Sequence, residues 1–595
     1  MSSNSKFSTF HKIWSLFTSA ERRQAIALLV LMFICMLLET LGVSLIVPAV
    51  ALLTEGNIAT NYPATKPFLE SLGNPTQQQL VVGGMLSLVF IYLIKGVLLA
   101  ILAWQQNRFA FDLQVRLSQR LFSIYLSQPY TFHLQRNSAQ LIRNVSSEVN
   151  MLTTYGVLPA LILFSETLIM LGLCSLLLLV EPLGAVIAVG VLGMAAWGFH
   201  RFTRRHISRW GDARQLHDGL RMQHLMQGLG GVKDVKLLGR ETEFLQKYEL
   251  HNVQGARVAQ RQATLQLLPR LWLEVLAVAG LAILVISMLA QGRALDVVLP
   301  TLGMFAAAAF RLMPSVNRIL ASIQSLRYGL SSIETAYSEI KLGAPEVRSV
   351  ETGARFAKNI ELNHISYSYE SAAKPAINNV CLKINRGESI GFIGTSGAGK
   401  STLVDIILGL IKPSSGSVDV DGKDIQYGLR NWQDQIGYVP QAIFLTDDTL
   451  RRNVAFGVAD EEIDEQAVVD AIKDAQLEPF IESLPEGLAT MVGERGVRLS
   501  GGQRQRIGIA RALYHKPSVL VLDEATSALD TPTESEVMRA VRALKDKTVL
   551  IVAHRLSTVG HCDRLYRLDG GEVIAAGVPE QMGVGLTNDQ IGSPP

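Results

Sequence analysis

Gly394-Thr395-Ser396-Gly397-Ala398-Gly399-Lys400-Ser401 is the stretch that decides the fold of the second half of the chain. Its pattern, G-x-x-x-x-G-K-S, is typical of loops that bind nucleotide phosphates. A short apolar strand is predicted before it at residues 388–393, and a helix that includes Thr402 is predicted after it at residues 402–411. Strand, loop and helix in this order are the context that the pattern requires. We therefore predict an α/β nucleotide-binding domain built around this loop.

The residue types in this loop suit phosphate chemistry. Glycines allow backbone N–H groups to curl around phosphate oxygens, and a helix N-terminus adds partial positive charge. Lys400 is placed for the β- and γ-phosphates, and Ser401 for Mg²⁺. A glycine-rich turn with a chance lysine is the plain alternative, and further motifs are needed to exclude it.

Two more stretches complete the chemistry. Residues 519–522 form an apolar run that suits a buried parallel strand, and Asp523 and Glu524 follow it directly. Asp523 can orient Mg²⁺ with its waters, and Glu524 can polarise an attacking water. Ser500, Gly501, Gly502 and Gln503 precede the helical run 504–513 and make a second anion-binding helix start. One nucleotide rarely needs two such sites, so we predict that this one closes on a nucleotide held by a second copy.

Composition indicates that membrane segments accompany this domain. The chain has 595 residues, of which 48% are hydrophobic and 18% charged, and its mean hydropathy is +0.25. The net charge of +3 gives no reason to expect nucleic acid binding. The four cysteines are widely scattered, which favours free thiols in a reducing compartment.

Six apolar runs of about the length of a membrane span occupy the first half. They are residues 24–53, 80–103, 157–180, 183–199, 271–290 and 297–319. Arginine and lysine concentrate in the second-to-third and fourth-to-fifth connections, so those connections and both termini are predicted to be cytoplasmic. The predicted domains are a membrane domain at 1–340, a linker at 341–355, a nucleotide-binding domain at 356–582 and a flexible tail at 583–595.

The two basic connections have amphipathic helical pattern rather than loop composition. We predict that the membrane helices continue into the cytoplasm and turn near residues 129–132 and 228–231. Such turns are placed to touch a cytoplasmic domain. Plain solvated hairpins remain the alternative.

The second half resembles the nucleotide-binding domain of ABC transporters, over roughly residues 356–582. Leu499-Ser500-Gly501-Gly502-Gln503 is similar to the family signature, 523–524 to the end of the Walker B strand, and 527–530, ending in Asp530, to the D-loop. The resemblance implies ATP and Mg²⁺ as cofactors and Glu524 as general base. It further implies that His554 contacts the γ-phosphate, that Gln441 contacts Mg²⁺ or water, and that Tyr369 contacts adenine. Ser500 and Gly502 would contact ATP across a dimer.

A membrane half fused to one such domain resembles an exporter half-transporter. The resemblance implies a homodimer, with a heterodimer of related chains left open. It also implies that the turns near 129–132 and 228–238 are coupling helices, which pass the closing and opening of the ATP-binding domains to the spans.

The cargo prediction rests on charge inside the spans, which is costly and often functional. Four basic residues lie in or beside spans: Lys95, Arg270, Arg311 and Arg318. Facing a central cavity, they would suit a phosphate or pyrophosphate lipid. The alternative is that they snorkel to the interface or pair with Glu39, Glu166 or Glu274.

Residues 37–48, within the first span, resemble part of the first span of bacterial flippases that move lipid-linked oligosaccharides for protein glycosylation. Lys95, Arg311 and Arg318 are placed similarly to basic cavity residues of that group, and Arg270 fits less well. The resemblance implies a polyprenyl pyrophosphate cargo in the bacterial inner membrane. Export of a lipid A-like lipid, a drug or a peptide remains open, as does a membrane protein gated by ATP. A soluble ATPase of this family is excluded by the six apolar runs.

Overall fold

The structure is a computed structural model, and it describes residues 9–45, 76–180, 182–290, 295–343, 355–370, 372, 374–493, 496–497, 499–525, 531–544, 546–553 and 555–583. The chain divides into two compact units. The first comprises Met1–Gln128 and His133–Pro345, and the second comprises Pro129–Phe132 and Glu346–Pro595. The predicted linker at 341–355 and tail at 583–595 lie mostly outside the described residues.

The first unit is helical in its described parts. Its helices are α1 Thr9–Ser15, α2 Ser19–Ser44, α3 Gln77–Ser127, α4 Tyr130–Gln135, α5 Ser138–Arg143, α6 Val149–Leu152, α7 Leu158–Val180, α8 Pro182–Gly230, α9 Val232–Leu237, α10 Glu241–Ala290, α11 Leu295–Tyr328 and α12 Leu330–Lys341. The first half of α4, up to Phe132, is assigned to the second unit. Two π-helical turns, Asn144–Glu148 and Thr153–Val157, flank α6.

The predicted spans fall in six of these helices. By length and apolarity, three stretches among the described residues qualify as membrane spans: Ser19–Ser44, Gln78–Ser127 and Ser138–Leu179. The fourth to sixth predicted spans lie in α8, α10 and α11, whose side chains are described only in part. The end of the first predicted span and nearly all of the predicted external connection at 54–79 lie outside the described residues.

The long helices confirm that the spans continue beyond a bilayer. α3 has 51 residues, so it extends about 75 Å, which is more than twice the thickness of the hydrocarbon core of about 30 Å. α8 and α10 have 49 and 50 residues. The chain turns where the sequence predicts it, since the short helices α4 and α9 lie at these two places.

The second unit contains two sheets and the helices around them. Its strands are β1 Asn359–Tyr367, β2 Ile377–Asn385, β3 Ser389–Gly394, β4 Ser415–Val420, β5 Lys423–Asp424, β6 Ile436–Val439, β7 Val519–Asp523, β8 Thr548–Val552, β9 Arg564–Asp569 and β10 Glu572–Gly577. Its helices are α13 Lys400–Ile407, α14 Leu429–Gln433, α15 Leu450–Val454, α16 Glu465–Asp474, α17 Glu478–Glu482, α18 Gly501–Leu513, α19 Thr531–Ala543 and α20 Leu556–Val559.

The larger sheet has the order β10-β9-β3-β8-β7-β6, and it is parallel except at β9–β10. The smaller sheet, β2-β1-β4-β5, is antiparallel. In β7, Leu520 and Leu522 belong to one apolar core while Val519 and Val521 belong to another. A strand buried on both faces explains the uninterrupted apolar run that precedes the two acids.

The register of the parallel strands brings their carboxyl ends together. Phe392 of β3 and Asp523 of β7 both pair with Val552 of β8. The segments that follow these strands therefore start at one edge of the sheet, where α/β folds place their ligands. The helix after the loop ends earlier than predicted, at Ile407, because Gly409 turns the chain with a φ of +70°.

Candidate functional site

The predicted phosphate loop joins β3 to α13 and depends on glycine at both ends. Gly399, the residue before α13, has a φ of +98°. A Cβ there would lie 2.4 Å from the carbonyl oxygen of Ala376, and a Cβ on Gly394 would lie 2.2 Å from that of Leu568. Larger residues at these positions would displace neighbouring backbone, so the loop conformation requires glycine.

Lys400 is held over this loop. Its Nζ donates to the carbonyl oxygens of Gly394 at 3.0 Å and Thr395 at 2.9 Å. The residue is buried, and this burial lowers the pKa of the ammonium while Glu524 and Asp523 act in the opposite direction. A partly desolvated cation beside backbone N–H groups is suited to bind phosphate oxygens.

Asp523 at the end of β7 suits a divalent metal ion. The hydroxyl of Tyr438 donates to Oδ2 at 3.4 Å, whereas the buried Oδ1 receives no hydrogen bond from any described residue. Burial, followed by the neighbouring Glu524, raises the pKa of Asp523. Mg²⁺ prefers carboxylate oxygens, so this unsatisfied oxygen fits the predicted role.

Glu524 is fixed by its backbone and by Gln441. It has a left-handed φ of +49°, and its N–H donates to the carbonyl oxygen of Val552 at 3.0 Å. Gln441 Nε2 donates to Glu524 Oε2 at 2.7 Å. Non-glycine residues in this conformation are uncommon and cluster at functional sites. The carboxylate is thus aimed by a strained turn and a neighbouring amide.

Tyr369 and Thr402 lie together beside the loop. The Tyr369 hydroxyl is 3.2 Å from Thr402 Oγ1, and its ring packs edge-on against Tyr367 at 5.0 Å between centroids. Thr402 lies in the first turn of α13. The predicted adenine contact is therefore close to the predicted phosphate contacts.

The second glycine-rich motif begins α18 as predicted. Ser500 is the N-cap, its Oγ accepts from the N–H of Gln503 at 3.2 Å, and Gln503 Oε1 accepts from the N–H of Ser500 at 2.8 Å. The observed helix starts at Gly501, three residues before the predicted run, because this reciprocal capping box extends it. Gly501 and Gly502 occupy the first turn, whose N–H groups have no acceptor within the helix.

Two further residues belong to the site and were missed from the sequence. Asp405 lies one turn beyond Ser401, and burial together with the charge of Asp523 raises its pKa to about 6. Tyr438 donates to Asp523. The i, i+4 spacing from Ser401 was the available signal for Asp405, whereas Tyr438 is recognisable only from the pairing of β6 with β7. The predicted site residues His554 and Asp530 lie outside the described residues.

Comparison with known proteins agrees with this geometry. The family model for the ABC transporter matches residues 377–527, and that for the ABC transporter transmembrane region matches residues 26–295. The chain belongs to the ABC transporter family.

The relatives of this ABC transporter include proteins named as lipid flippases and one named for multidrug export. An ATP-dependent lipid A-core flippase of Nitrosococcus oceani is 30% identical over 493 residues, covering 81% of this chain and 80% of the relative. A flippase of the same name from Chromobacterium violaceum is 29% identical over 543 residues, covering 91% and 92%. A Bacillus subtilis protein named for multidrug export is 38% identical but covers only 46% of the chain and 47% of itself.

The fold has a solved counterpart. A bacterial Atm1-family ABC exporter with ATP bound superposes with a TM-score of 0.77 at 23% identity, covering 95% of this chain and 96% of that one. The predicted fold class, a helical membrane domain followed by an α/β nucleotide-binding domain, is confirmed. As an ABC transporter the chain is an integral membrane protein that uses ATP and Mg²⁺ and couples ATP hydrolysis to transport.

Three of the transporter's four predicted cargo residues form ion pairs with the acids that the sequence offered as alternative partners. Lys95 Nζ lies 2.9 Å from Glu39, and both side chains are about 7% exposed. Arg318 lies 2.7 Å from Glu166 and remains 56% exposed. Arg270 pairs with Glu274 at 2.9 Å on the same exposed helix face.

These ion pairs differ in the helices that they connect. Lys95 joins α3 to α2, and Arg318 joins α11 to α7, whereas the Arg270 pair stays within α10. The side chain of Arg311 lies outside the described residues. Among the three described cations, Arg318 combines a link between helices with a largely exposed guanidinium.

Proposed function

We propose that the chain works as a homodimer that hydrolyses ATP to move a phosphate-bearing amphipathic lipid out of the cytoplasmic leaflet of the bacterial inner membrane. Both termini would face the cytoplasm. The part of this proposal that concerns ATP hydrolysis rests on one observation. Four residues lie at one edge of the parallel sheet: Lys400, Asp523, Glu524 and Gln441.

Each residue has a role in the proposed hydrolysis. Glu524 accepts the proton of the water that attacks the γ-phosphorus, and Gln441 holds the carboxylate oxygen in position. Lys400 neutralises charge on the β- and γ-phosphates, and His554 contacts the γ-phosphate. Ser401, Asp523 and Gln441 would hold Mg²⁺, which would neutralise charge at the phosphates when bound.

The signature helix supports the proposed dimer. The Ser500 oxygen accepts a hydrogen bond inside the capping box, so its hydroxyl proton stays available for an acceptor outside the helix. The N–H groups of Gly501 and Gly502 lie at the N-terminus of the helix, where the positive end of the helix dipole also favours binding of an anion. With Gln503 and Asp530, they would close on the ATP bound by a partner's phosphate loop, and α4 and α9 would pass that closure to the spans.

The cargo is argued from Arg318 and from the named relatives. A guanidinium that is 56% exposed while paired can still donate to a phosphate. The buried Lys95 is better suited to hold α2 against α3. Two head groups fit such a site: the pyrophosphate of a lipid-linked oligosaccharide, suggested by the sequence of the first span, and a lipid A-like glycolipid, supported by the flippase relatives.

The test is a flipping assay in proteoliposomes with each fluorescent lipid in turn, measuring ATP-dependent loss of probe accessibility in one leaflet. We expect flipping of one lipid, none in Glu524→Gln, and weaker flipping in Arg318→Ala. Arg108→Ala is the matched control, because Arg108 is similarly exposed and paired with an acid 3.7 Å away. If neither lipid moves while ATPase activity responds to another compound, the proposed cargo is wrong, whereas the proposal for ATP hydrolysis stands.

A further inference from the structure

Arg511 lies in the last turn of α18, the helix that begins at the signature motif. Its Nη1 donates to the carbonyl oxygen of Phe444 at 2.8 Å, and its Nε donates to that of Asn453 at 2.9 Å. Its Nη2 also donates to Asn453 Oδ1 at 3.2 Å, and the guanidinium carbon lies 4.4 Å from the centre of the Phe456 ring. These partners are all uncharged, and burial lowers the pKa of Arg511 to about 10. Burying a charge is costly unless hydrogen bonds compensate for it, so these bonds are what holds the guanidinium in place.

The guanidinium binds both ends of residues 444–453, which we call the 444–453 segment. Asn453 is fully buried within it. Asn453 Oδ1 accepts from the N–H of Thr446 at 3.0 Å, and Asn453 Nδ2 donates to the carbonyl oxygen of Thr449 at 3.1 Å. Asn453 thus fixes the segment internally, and Arg511 fastens the segment to α18. A lysine would not reproduce this link, because an ammonium lacks the planar fork that lets one guanidinium reach several oxygens.

The 444–453 segment begins just after Gln441, whose amide donates to Glu524 at 2.7 Å. On its other side, Gln441 follows β6, which ends at Val439. β6 is fixed by its pairing with β7. The freedom of Gln441 therefore depends on how the chain beyond it is held.

One face of α18 holds that chain. Ile443 rests on the backbone of α18, since a Cβ added to Gly508 would lie 2.3 Å from Ile443 Cδ1. Phe444, the next residue, is bound by Arg511. Gly508 and Arg511 stand at i and i+3, so they lie on the same face of the helix. The contact at Gly508 is apolar and fixes no backbone atom, whereas the hydrogen bond from Arg511 fixes the carbonyl group of Phe444.

We propose that Arg511 is a positioning residue for ATP hydrolysis, which keeps the Gln441 amide against Glu524. It does so by fastening the 444–453 segment to α18. The proposal rests on the roles proposed above for Gln441 and Glu524. Loss of the guanidinium would free the carbonyl group of Phe444, and the loop that carries Gln441 would sample more positions. The Glu524 carboxylate would then be aligned in fewer molecules. All of these contacts lie within the second unit of one chain, so none of them depends on a free surface.

The test is a double-mutant cycle on the steady-state ATPase kinetics of the full chain in nanodiscs. Arg511→Lys keeps the charge and removes the fork. We expect it to lower kcat about tenfold, the order of effect of a slightly displaced catalytic group, and to change the KM for ATP less than about twofold. In a Gln441→Leu chain, the same substitution should lower kcat by less than about twofold, because the amide that Arg511 positions is already absent. A merely structural role would instead lower kcat by the same factor in both backgrounds.

Arg506→Lys is the matched control, because Arg506 lies on the same helix and also donates to a backbone carbonyl, that of Gln476 at 3.2 Å. Its described hydrogen bonds go to Gln476 and Glu536 rather than to the 444–453 segment, so kcat should stay within about twofold of the wild type. Arg511→Gln is the second variant; it removes the charge, keeps a planar amide and should lower kcat to the same degree. Equilibrium binding of a fluorescent ATP analogue reports on the fold of each variant.

Loss of nucleotide binding in both Arg511 variants would assign Arg511 to the fold and overturn the proposal. Effects of Arg511→Lys and Gln441→Leu that multiply would also overturn it, and so would an equal loss of kcat in Arg506→Lys. A Gln441→Leu chain with the wild-type kcat would refute the role proposed for Gln441 itself, and with it the role of Arg511. These outcomes distinguish an error in the site proposed for hydrolysis from an error in the role of Arg511.

Discussion

The hydrogen bond of 2.7 Å from Gln441 to Glu524 makes the position of one carboxylate depend on one amide. Gln441→Leu keeps the size of the side chain and removes the donor. We expect kcat for ATP hydrolysis to fall by about 10–100-fold, because a small displacement of a catalytic group has effects of this order. The KM for ATP should change less than kcat, since the phosphate loop, Ser401 and Asp523 keep their contacts when Gln441 is replaced.

Gln466→Leu is the control for this measurement. Gln466 makes a similar bond of 2.8 Å to Asp470 on the surface of α16, and its loss should leave steady-state ATPase kinetics unchanged. An equal loss of kcat in both variants would mean that the Gln441 bond does not position the base.

Asp405 gives the nucleotide-binding unit a pH dependence. Burial and the charge of Asp523 raise its pKa to about 6, above the value of about 3.9 in an unfolded chain. The native state therefore binds the proton of Asp405 more tightly than the unfolded chain does. The stabilisation that results is complete below pH 4 and is lost as the pH rises through 6. Asp405→Asn should raise the free energy of unfolding at pH 7.5 by about 1–2 kcal/mol, after allowing for solvent screening.

Thermal unfolding of the full chain at pH 5 and pH 7.5 checks this. The gain of the variant over the wild type should be larger at pH 7.5 than at pH 5. A variant that is less stable at pH 7.5 would show that the charged carboxylate is needed for the fold.

Local motifs led to most of the single-residue predictions at the site. The loop 394–401, the pair 523–524 and Gln441 are each recognisable from a few adjacent residues, because their chemistry requires those residue types in that order. Asp405 and Tyr438 owe their roles to Asp523, which is distant in sequence and close only after β6, β7 and α13 have assembled. The spacing from Ser401 places Asp405 on the same helix face as Ser401, but no periodicity within a short window shows that Asp405 or Tyr438 lies close to Asp523.

Between elements, the pair of Lys95 and Glu39 joins α3 to α2 at 2.9 Å with both side chains buried. Lys95→Ala takes the ammonium away from the buried carboxylate of Glu39, so it should destabilise the membrane unit by about 3–5 kcal/mol. Arg270→Ala breaks an exposed pair within one helix and should cost less than about 1 kcal/mol. Thermal unfolding in detergent compares the two.

The double variant Lys95→Met with Glu39→Gln separates charge from packing. It should recover most of the lost stability, because neutral groups leave no buried charge to solvate. Equal destabilisation by Lys95→Ala and Arg270→Ala would contradict a structural role for the buried pair.

The helices and strands were predictable where a pattern runs unbroken. The apolar runs gave the existence of α2, α3 and α7, and the four apolar residues before Asp523 gave β7. The π-helical turns Asn144–Glu148 and Thr153–Val157 were not predictable, because they arise from how this segment packs rather than from local preference. The partners of the basic residues in the spans were named only as alternatives, since a sequence does not state which helix faces meet.

At the scale of the whole molecule, the sequence predicted a membrane half and a nucleotide-binding half, and the family matches at 26–295 and 377–527 agree with that division. A nucleotide site that is shared between two chains differs from these features, because neither chain contains it alone. Lys400 and Ser500 each begin a helix that can bind an anion, and only an assembly of two copies tells whether they serve one nucleotide.

Mixing two inactive variants decides this. In a two-fold dimer with shared sites, pairing a Lys400→Ala chain with a Ser500→Arg chain places both defects in one site and leaves the other intact. Neither variant alone should hydrolyse ATP, whereas the mixture should recover roughly a quarter of the wild-type rate, because random pairing makes about half of the dimers mixed with one working site each. If each chain formed its own site from its own Lys400 and Ser500, the mixture would stay as inactive as its components. The readout is the ATPase activity of dimers purified from co-expressed chains without selection for mixed pairs, with co-expressed wild-type and Lys400→Ala chains as the reference for dimers that keep one intact phosphate loop.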